Sequence, residues 1–72
     1  MRFQAYDSNR KYDGVNTGHI PTGWHVRFSD NSIGRVVHGN AERSLVTYRP
    51  ARESGATEAH DWFSNATLEV QA

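Results

Sequence analysis

The 72-residue chain contains no cysteine, and this absence excludes two kinds of protein. Small secreted domains usually depend on disulfides, and zinc sites of the four-cysteine type need thiolates. The chain also lacks any apolar run long enough to be a signal peptide or to cross a membrane. The composition therefore predicts a cytoplasmic protein that has no disulfide framework and no attachment to a membrane.

A net charge of either sign is also absent, because eight Lys and Arg residues balance eight Asp and Glu residues. This balance argues against strong non-specific binding to nucleic acid. The charges are unevenly spread, however. Residues 1–52 hold all eight basic side chains and four acidic ones, whereas residues 53–72 hold four acidic side chains and no basic ones. Such asymmetry indicates either a basic binding face or two halves that pair in the fold.

The clearest pattern that is present belongs to a β-hairpin. Trp24, Val26 and Phe28 alternate with His25 and Arg27, which is typical of a strand with one buried face. Asp30-Asn31 can form a two-residue turn between strands at 24–29 and 32–38. In the resulting register, Phe28 faces Ile33, Val26 faces Arg35 and Trp24 faces Val37.

A second hairpin follows, with a polar four-residue turn from Asn40 to Arg43 and a third strand at 45–49. This register pairs Val37 with Val46 and Arg35 with Tyr48. Side chains of one strand alternate between two faces, so the register predicts the composition of each face. The predicted core face holds Trp24, Val26, Phe28, Ile33, Val37, Val46 and Tyr48. The other face holds His25, Arg27, Val36, His38, Leu45, Thr47 and Arg49.

The remaining segments complete a single domain over residues 1–72. Residues 1–6 predict a first strand and residues 7–22 a long loop rich in turn signals, which Tyr12, Val15 and Ile20 can attach to the core. Residues 50–60 predict an exposed loop, with a helical turn at 57–60. A short strand or bridge at 61–63, a turn at 64–66 and a closing strand at 67–70 follow.

This order resembles the SH3-like small barrels, including the KOW and Tudor types. The resemblance is carried by Gly23-Trp24-His25-Val26-Arg27-Phe28, by Ser32-Ile33-Gly34-Arg35-Val36-Val37, and by the aromatic, turn and Leu-Glu-Val pattern of residues 61–70. It implies an all-β, SH3-like small barrel of about five short strands with a long first loop. Gly34 suits the sharp strand bend that such barrels need. KOW-type and Tudor-type barrels bind RNA, DNA or protein tails. A Tudor-like aromatic cage here would draw on Trp24, Tyr48, Trp62 or Phe63.

Arg35 does not fit the predicted core face, because an unpaired charge is not tolerated in a core. One interpretation is an anion pocket at one end of the barrel, in which Arg35 stacks on Tyr48 and awaits a ligand. The alternative is a structural ion pair between Arg35 and Asp61 or Glu69, or an Arg35 side chain that extends out of the core to solvent.

The other predicted binding site is the outer face, with His25, Arg27, His38 and Arg49 beside apolar residues. Basic and apolar side chains interleaved on a sheet suit nucleic acid or an acidic protein partner. A solvated face is the alternative. An interface through Val36 and Leu45 would instead produce a homo-oligomer. His25 and His38 lack a third metal ligand, so no metal site is predicted.

No motif of a known catalytic site is present, so we predict a binding module without cofactor rather than an enzyme. The two main alternatives are a nucleic-acid-binding module and a protein-interaction or homo-oligomeric accessory protein of a phage or mobile element. A third follows from the resemblance alone. The type II dihydrofolate reductases are SH3-like barrels that assemble around an active pore. Their Val-Gln-Ile-Tyr signature is absent, since the nearest segment, Leu45-Val46-Thr47-Tyr48, lacks the glutamine.

Overall fold

The computed structural model describes residues 1–49 and 58–72 of the chain. Within these ranges the regular structure is almost entirely β, and one 3₁₀-helix, η1, precedes the last strand. The elements in chain order are β1 (Phe3–Ala5), β2 (His25–Arg27), β3 (Ile33–Gly39), β4 (Arg43–Tyr48), β5 (Ala59–Ser64), η1 (Asn65–Thr67) and β6 (Glu69–Gln71).

All six strands form one antiparallel sheet in the order β1-β6-β2-β3-β4-β5. The predicted all-β class is confirmed. The edges of the sheet are β1 and β5, and over the described residues they do not pair to close a barrel. The segment predicted as a short strand or bridge at 61–63 is the middle of a six-residue strand, so the sheet has one full strand more than expected.

The core lies on one side of this sheet, which we call the inner face. Val26 pairs with Val70, and Val36 pairs with Val46, and all four side chains are buried. The long loop at residues 7–22 covers this face. As predicted, Tyr12 and Ile20 are buried in it, but Val15 is 72% exposed, so its predicted contact with the core is wrong. The opposite side of the sheet is the outer face.

The first hairpin differs from its predicted register by one residue. Asn31 adopts a left-handed conformation with φ 71°, and Phe28 N–H donates to the Ser32 carbonyl oxygen at 2.9 Å. The loop therefore has three residues, Ser29 to Asn31, instead of two, a common alternative in hairpins. Val26 consequently faces Gly34, and His25 faces Arg35.

This shift reverses the two faces of β3, because side chains alternate along a strand. Val36 is buried in the core, whereas Ile33, Arg35 and Val37 are exposed. The predictions that Ile33, Arg35 and Val37 belong to the core face and that Val36 belongs to the outer face are therefore wrong. Gly34 lies on the inner face, where its missing Cβ leaves room for a side-chain methyl of Val46 and for the Phe28 ring.

The second hairpin has the predicted turn but not the predicted register throughout. Gly39 faces Ser44 and His38 faces Leu45, which a loop from Asn40 to Arg43 requires. A β-bulge at Val37 then shifts the ladder by one residue. Val46 therefore pairs with Val36 rather than Val37, and Arg35 pairs with Thr47 rather than Tyr48, which corrects both predicted pairs.

The C-terminal segment packs onto the rest of the fold through one buried polar residue, Asn65. Ala59 and His60 begin β5, so the loop predicted at residues 50–60 and its helical turn at 57–60 are wrong at these two positions, whereas residues 50–57 of that loop lie outside the described residues. Asn65, at the start of η1, is fully buried. Its side-chain Nδ2 donates to the Asn40 carbonyl oxygen at 2.9 Å, and its Oδ1 accepts from the Ser44 hydroxyl at 2.6 Å. This amide ties the end of β5 to the β3–β4 turn.

Candidate functional site

The outer face carries a row of polar side chains that runs across four strands. His25 of β2, Arg35 of β3, Thr47 of β4 and His60 of β5 are direct neighbours in the ladder. Arg35 and His60 are exposed, and His25 and Thr47 are half-buried. The register of the first hairpin builds this row, because it turns Arg35 away from the core and towards His25.

A second row on the outer face is centred on Trp62. This residue lies on β5 opposite Leu45, and it is 42% exposed. The guanidinium carbon of Arg43 lies 4.8 Å from the centroid of the Trp62 ring, within cation–π range. The His38 ring meets the same indole edge-on, with 6.3 Å between the centroids. Trp62 therefore combines a large exposed aromatic surface with two neighbours that can carry positive charge.

Arg27, one of the predicted binding residues, is held in an ion pair. Its Nε and Nη2 donate to the two carboxylate oxygens of Glu69 at 3.2 and 3.0 Å, and its guanidinium also lies over the Phe3 ring. The hydrogen bonds lower the pKa of Glu69 and raise that of Arg27. The Glu69 ion pair considered for Arg35 is thus formed by Arg27. Because Glu69 compensates the charge of Arg27, Arg27 contributes less to an anion site than its neighbours do.

Arg35 and Arg49 border an open groove of about 410 Å³ at one end of the outer face. His25, Thr47 and Glu58 also line this groove. Tyr48, the predicted partner of Arg35, borders the groove as well. Its ring packs at 5.7–5.8 Å from Phe28 and Phe63, in an aromatic cluster that adjoins the core. Two arginines and one glutamate thus border the same groove.

A second concavity, of about 300 Å³, opens beside the aromatic cluster of Phe28, Tyr48 and Phe63. The three ring centroids are 4.7–5.8 Å apart, so the rings contact one another and leave no room for a ligand between them. The four aromatic residues considered for a cage do not come together. Tyr48 and Phe63 lie in this cluster, Trp24 packs against Tyr12, and Trp62 is on the outer face.

Histidines are distributed over the surface. His25 and His38 lie on the outer face as predicted, whereas His19 in the long loop contacts the Asp13 carboxylate at 3.3 Å and the Gly39 carbonyl at 3.0 Å. In residues 1–49 and 58–72, no group of three His, Asp or Glu side chains is placed to hold a metal ion.

Besides Ile33 and Arg35, which the predicted register placed on the core face, the sequence prediction of the outer face lacked Arg43, His60 and Trp62. Arg43 belongs to the predicted turn, although it shares the alternation of Leu45, Thr47 and Arg49, and this alternation indicates an outer-face position. His60 and Trp62 alternate in the same way once β5 is known to be a full strand.

Comparison of the chain with protein-family models, with curated proteins and with solved structures finds no match. In the described part of the chain, no helix has the length and apolar character needed to cross a membrane.

Proposed function

We propose that this domain is an SH3-like small barrel with an incomplete closure, and that it works as a non-catalytic nucleic-acid-binding module through its outer face. The strand order and the 3₁₀ turn just before the last strand support the fold proposal. The binding proposal is carried by one observation, the concentration of cationic groups on a single face of a chain with zero formal net charge.

The cationic groups in question are the guanidinium groups of Arg35, Arg43 and Arg49, and His25 and His38 lie on the same face. Guanidinium groups suit phosphate because their fork of N–H donors matches its oxygens. Over residues 1–49 and 58–72 the ion pairs are Asp13–His19 and Arg27–Glu69, so these three arginines have no carboxylate within ion-pair distance in those ranges. Glu58 lines the groove beside Arg35 and Arg49 and opposes anion binding there.

Salt dependence of binding provides the first test. A protein that neutralises three phosphates of a single strand should show a slope of about −2 in a plot of log K against log salt concentration. We would measure anisotropy of a labelled 12-nucleotide strand and of the matching duplex between 20 and roughly 200 mM salt. Arg35→Gln and Arg43→Gln should each weaken binding and reduce the slope by about 0.7 with the single strand.

Lys11→Gln is the matched control, because it removes one positive charge from the exposed loop that covers the inner face. It should leave affinity and slope nearly unchanged. Glu58→Gln should raise the affinity. The proposal fails if neither nucleic acid binds, or if Lys11→Gln weakens binding as much as the two arginine variants do.

Self-association is the second candidate function, and exposed apolar side chains on the same sheet support it. Ile33 is 48% exposed on the outer face, and Val37 is 40% exposed at the bulge. Val36, which the sequence placed in such an interface, is buried in the core instead. Light scattering on a sizing column across a dilution series tests this candidate. A stable dimer that Ile33→Lys converts to monomer would favour it.

A further inference from the structure

The indole of Trp62 is the largest apolar group that the outer face exposes. It lies on the edge strand β5, and its immediate neighbours are the Arg43 guanidinium, the His38 ring and Leu45. The Arg43 guanidinium lies over one face of this ring, and the part of the ring that stays exposed is a surface on which a nucleobase can stack. Base–aromatic stacking tolerates any base, because every base has a π-face.

The position of Trp62 relative to the arginines indicates which form of nucleic acid fits. Arg35 lies on β3, two strands from β5, and its ladder neighbour on β5 is His60, two residues from Trp62, so the backbones of Arg35 and Trp62 are about 12 Å apart. A strand of a few nucleotides that crosses β3, β4 and β5 would place phosphates at Arg35 and Arg43 and a base against Trp62. In a duplex the base faces are covered by neighbouring base pairs, so stacking on a protein ring requires an unpaired base.

We propose that the outer face recognises single-stranded rather than double-stranded nucleic acid, with Trp62 as the stacking platform for an unpaired base and Arg43 and Arg35 as the contacts to its flanking phosphates. This inference rests on the proposed nucleic-acid-binding function and specifies the ligand of the same face. Neither the stacking on Trp62 nor the phosphate contacts depend on base sequence, so we expect little discrimination among pyrimidine-rich strands.

The test compares a labelled 12-nucleotide thymidine strand with a labelled 12-base-pair duplex at one salt concentration. Loss of one stacked base corresponds to roughly a 5- to 150-fold loss of affinity. Trp62→Leu should therefore weaken single-strand binding by this factor and leave duplex binding nearly unchanged. Trp62→Phe keeps a ring and should retain most of the affinity, and a circular dichroism melt of each variant verifies that it is folded.

Tryptophan fluorescence gives a second readout that does not depend on the leucine variant. In Trp24→Phe, the single remaining indole is Trp62, and the thymidine strand should quench it. In Trp62→Phe, the remaining indole is Trp24, which packs against Tyr12 on the inner side and should not be quenched.

The inference is overturned if the duplex binds as tightly as the single strand, or if Trp62→Leu binds the single strand normally. Either result leaves the proposed function standing, provided that binding still depends on Arg35 and on salt. If neither nucleic acid binds, the inference and the proposed function fail together.

Discussion

The buried amide of Asn65 gives the sharpest prediction about stability. Asn65 and Ser44 are both fully buried, and the Ser44 hydroxyl donates to Asn65 Oδ1 at 2.6 Å. Asn65 Nδ2 in turn donates to the carbonyl oxygen of Asn40 at 2.9 Å. Replacement of Asn65 by Ala removes one partner from each bond and leaves a small cavity.

The size of the destabilisation depends on the surroundings of the two groups that lose a hydrogen-bond partner, the Ser44 hydroxyl and the Asn40 carbonyl oxygen. The Ser44 hydroxyl stays in a fully buried position, so it bears the full cost of an unsatisfied polar group, about 1–3 kcal/mol. Asn40 is an exposed residue, so we place the loss at its carbonyl oxygen at the low end of the same range. Asn65→Ala should therefore destabilise the domain by about 2–4 kcal/mol, out of a total of about 4–11 kcal/mol for a chain of this length.

Urea unfolding followed by circular dichroism measures this loss. With an m-value near 1 kcal/mol/M for a small domain, the midpoint should fall by about 2–4 M. Asn9→Ala, at an exposed position in the loop, is the control and should change stability by less than about 0.5 kcal/mol.

A double-mutant cycle with Ser44→Ala isolates the pair. Once Asn65 is gone, removal of the Ser44 hydroxyl relieves an unsatisfied group, so the double variant should be about 1–2 kcal/mol more stable than the sum of the single effects implies. The reasoning is refuted if Asn65→Ala lowers the midpoint no more than the Asn9 control, or if the two changes are additive within about 0.3 kcal/mol.

Three further predictions concern packing, the long loop and acid stability. In Gly34→Ala, a Cβ would lie 2.5 Å from a methyl of Val46, so thermal unfolding should show a loss of about 1–3 kcal/mol, and a variant as stable as the parent would contradict the packing. The Tyr6 hydroxyl lies 2.6 and 2.8 Å from the carbonyl oxygens of Gly18 and Ala41, so Tyr6→Phe should cost about 1 kcal/mol in urea unfolding and speed amide exchange of Gly18. Backbone N–H groups donate to Asp13 and hold its pKa well below its usual range. The contribution of Asp13 to the stability of the fold is therefore present above about pH 4 and is lost as the pH falls further. Asp13→Asn should flatten the acid limb of stability measured between about pH 5 and 2, and an unchanged limb would exclude this role.

The sequence predicted the strands better than their pairing. Alternation at Trp24, Val26 and Phe28 fixes a strand and its buried face whatever lies opposite, and the inner-face position of Val26 is confirmed. Register depends on the turn, and the difference between a two-residue and a three-residue loop lies in the backbone conformation of Asn31. Asn tolerates a left-handed conformation in either loop, so composition alone does not decide between them.

The outer face was predicted in outline, but its largest exposed side chain, Trp62, was missed. His25, His38 and Arg49 follow from alternation in strands that the sequence identifies. Trp62 does not, because residues 61–63 predict only a short strand or bridge, which leaves the face of Trp62 undefined. Its exposure results from the edge position of β5, where the sheet offers a neighbour on one side only.

The register of β3 and the chemistry of the outer face have a common cause. The strand must bury either Ile33 and Arg35 or Gly34 and Val36. Burial of Ile33 is worth about 1.5–3 kcal/mol, but burial of an unpaired guanidinium costs more than that gain. The second choice fills the core with Val36, lets Val46 and Phe28 occupy the space that Gly34 leaves, and exposes Arg35 beside His25. The misfit of Arg35 in the predicted core was therefore the signal that the predicted register was wrong. The cost of desolvating Arg35 makes the predicted register unfavourable, and in the observed register Arg35 lies on the outer face, where the proposed binding depends on it.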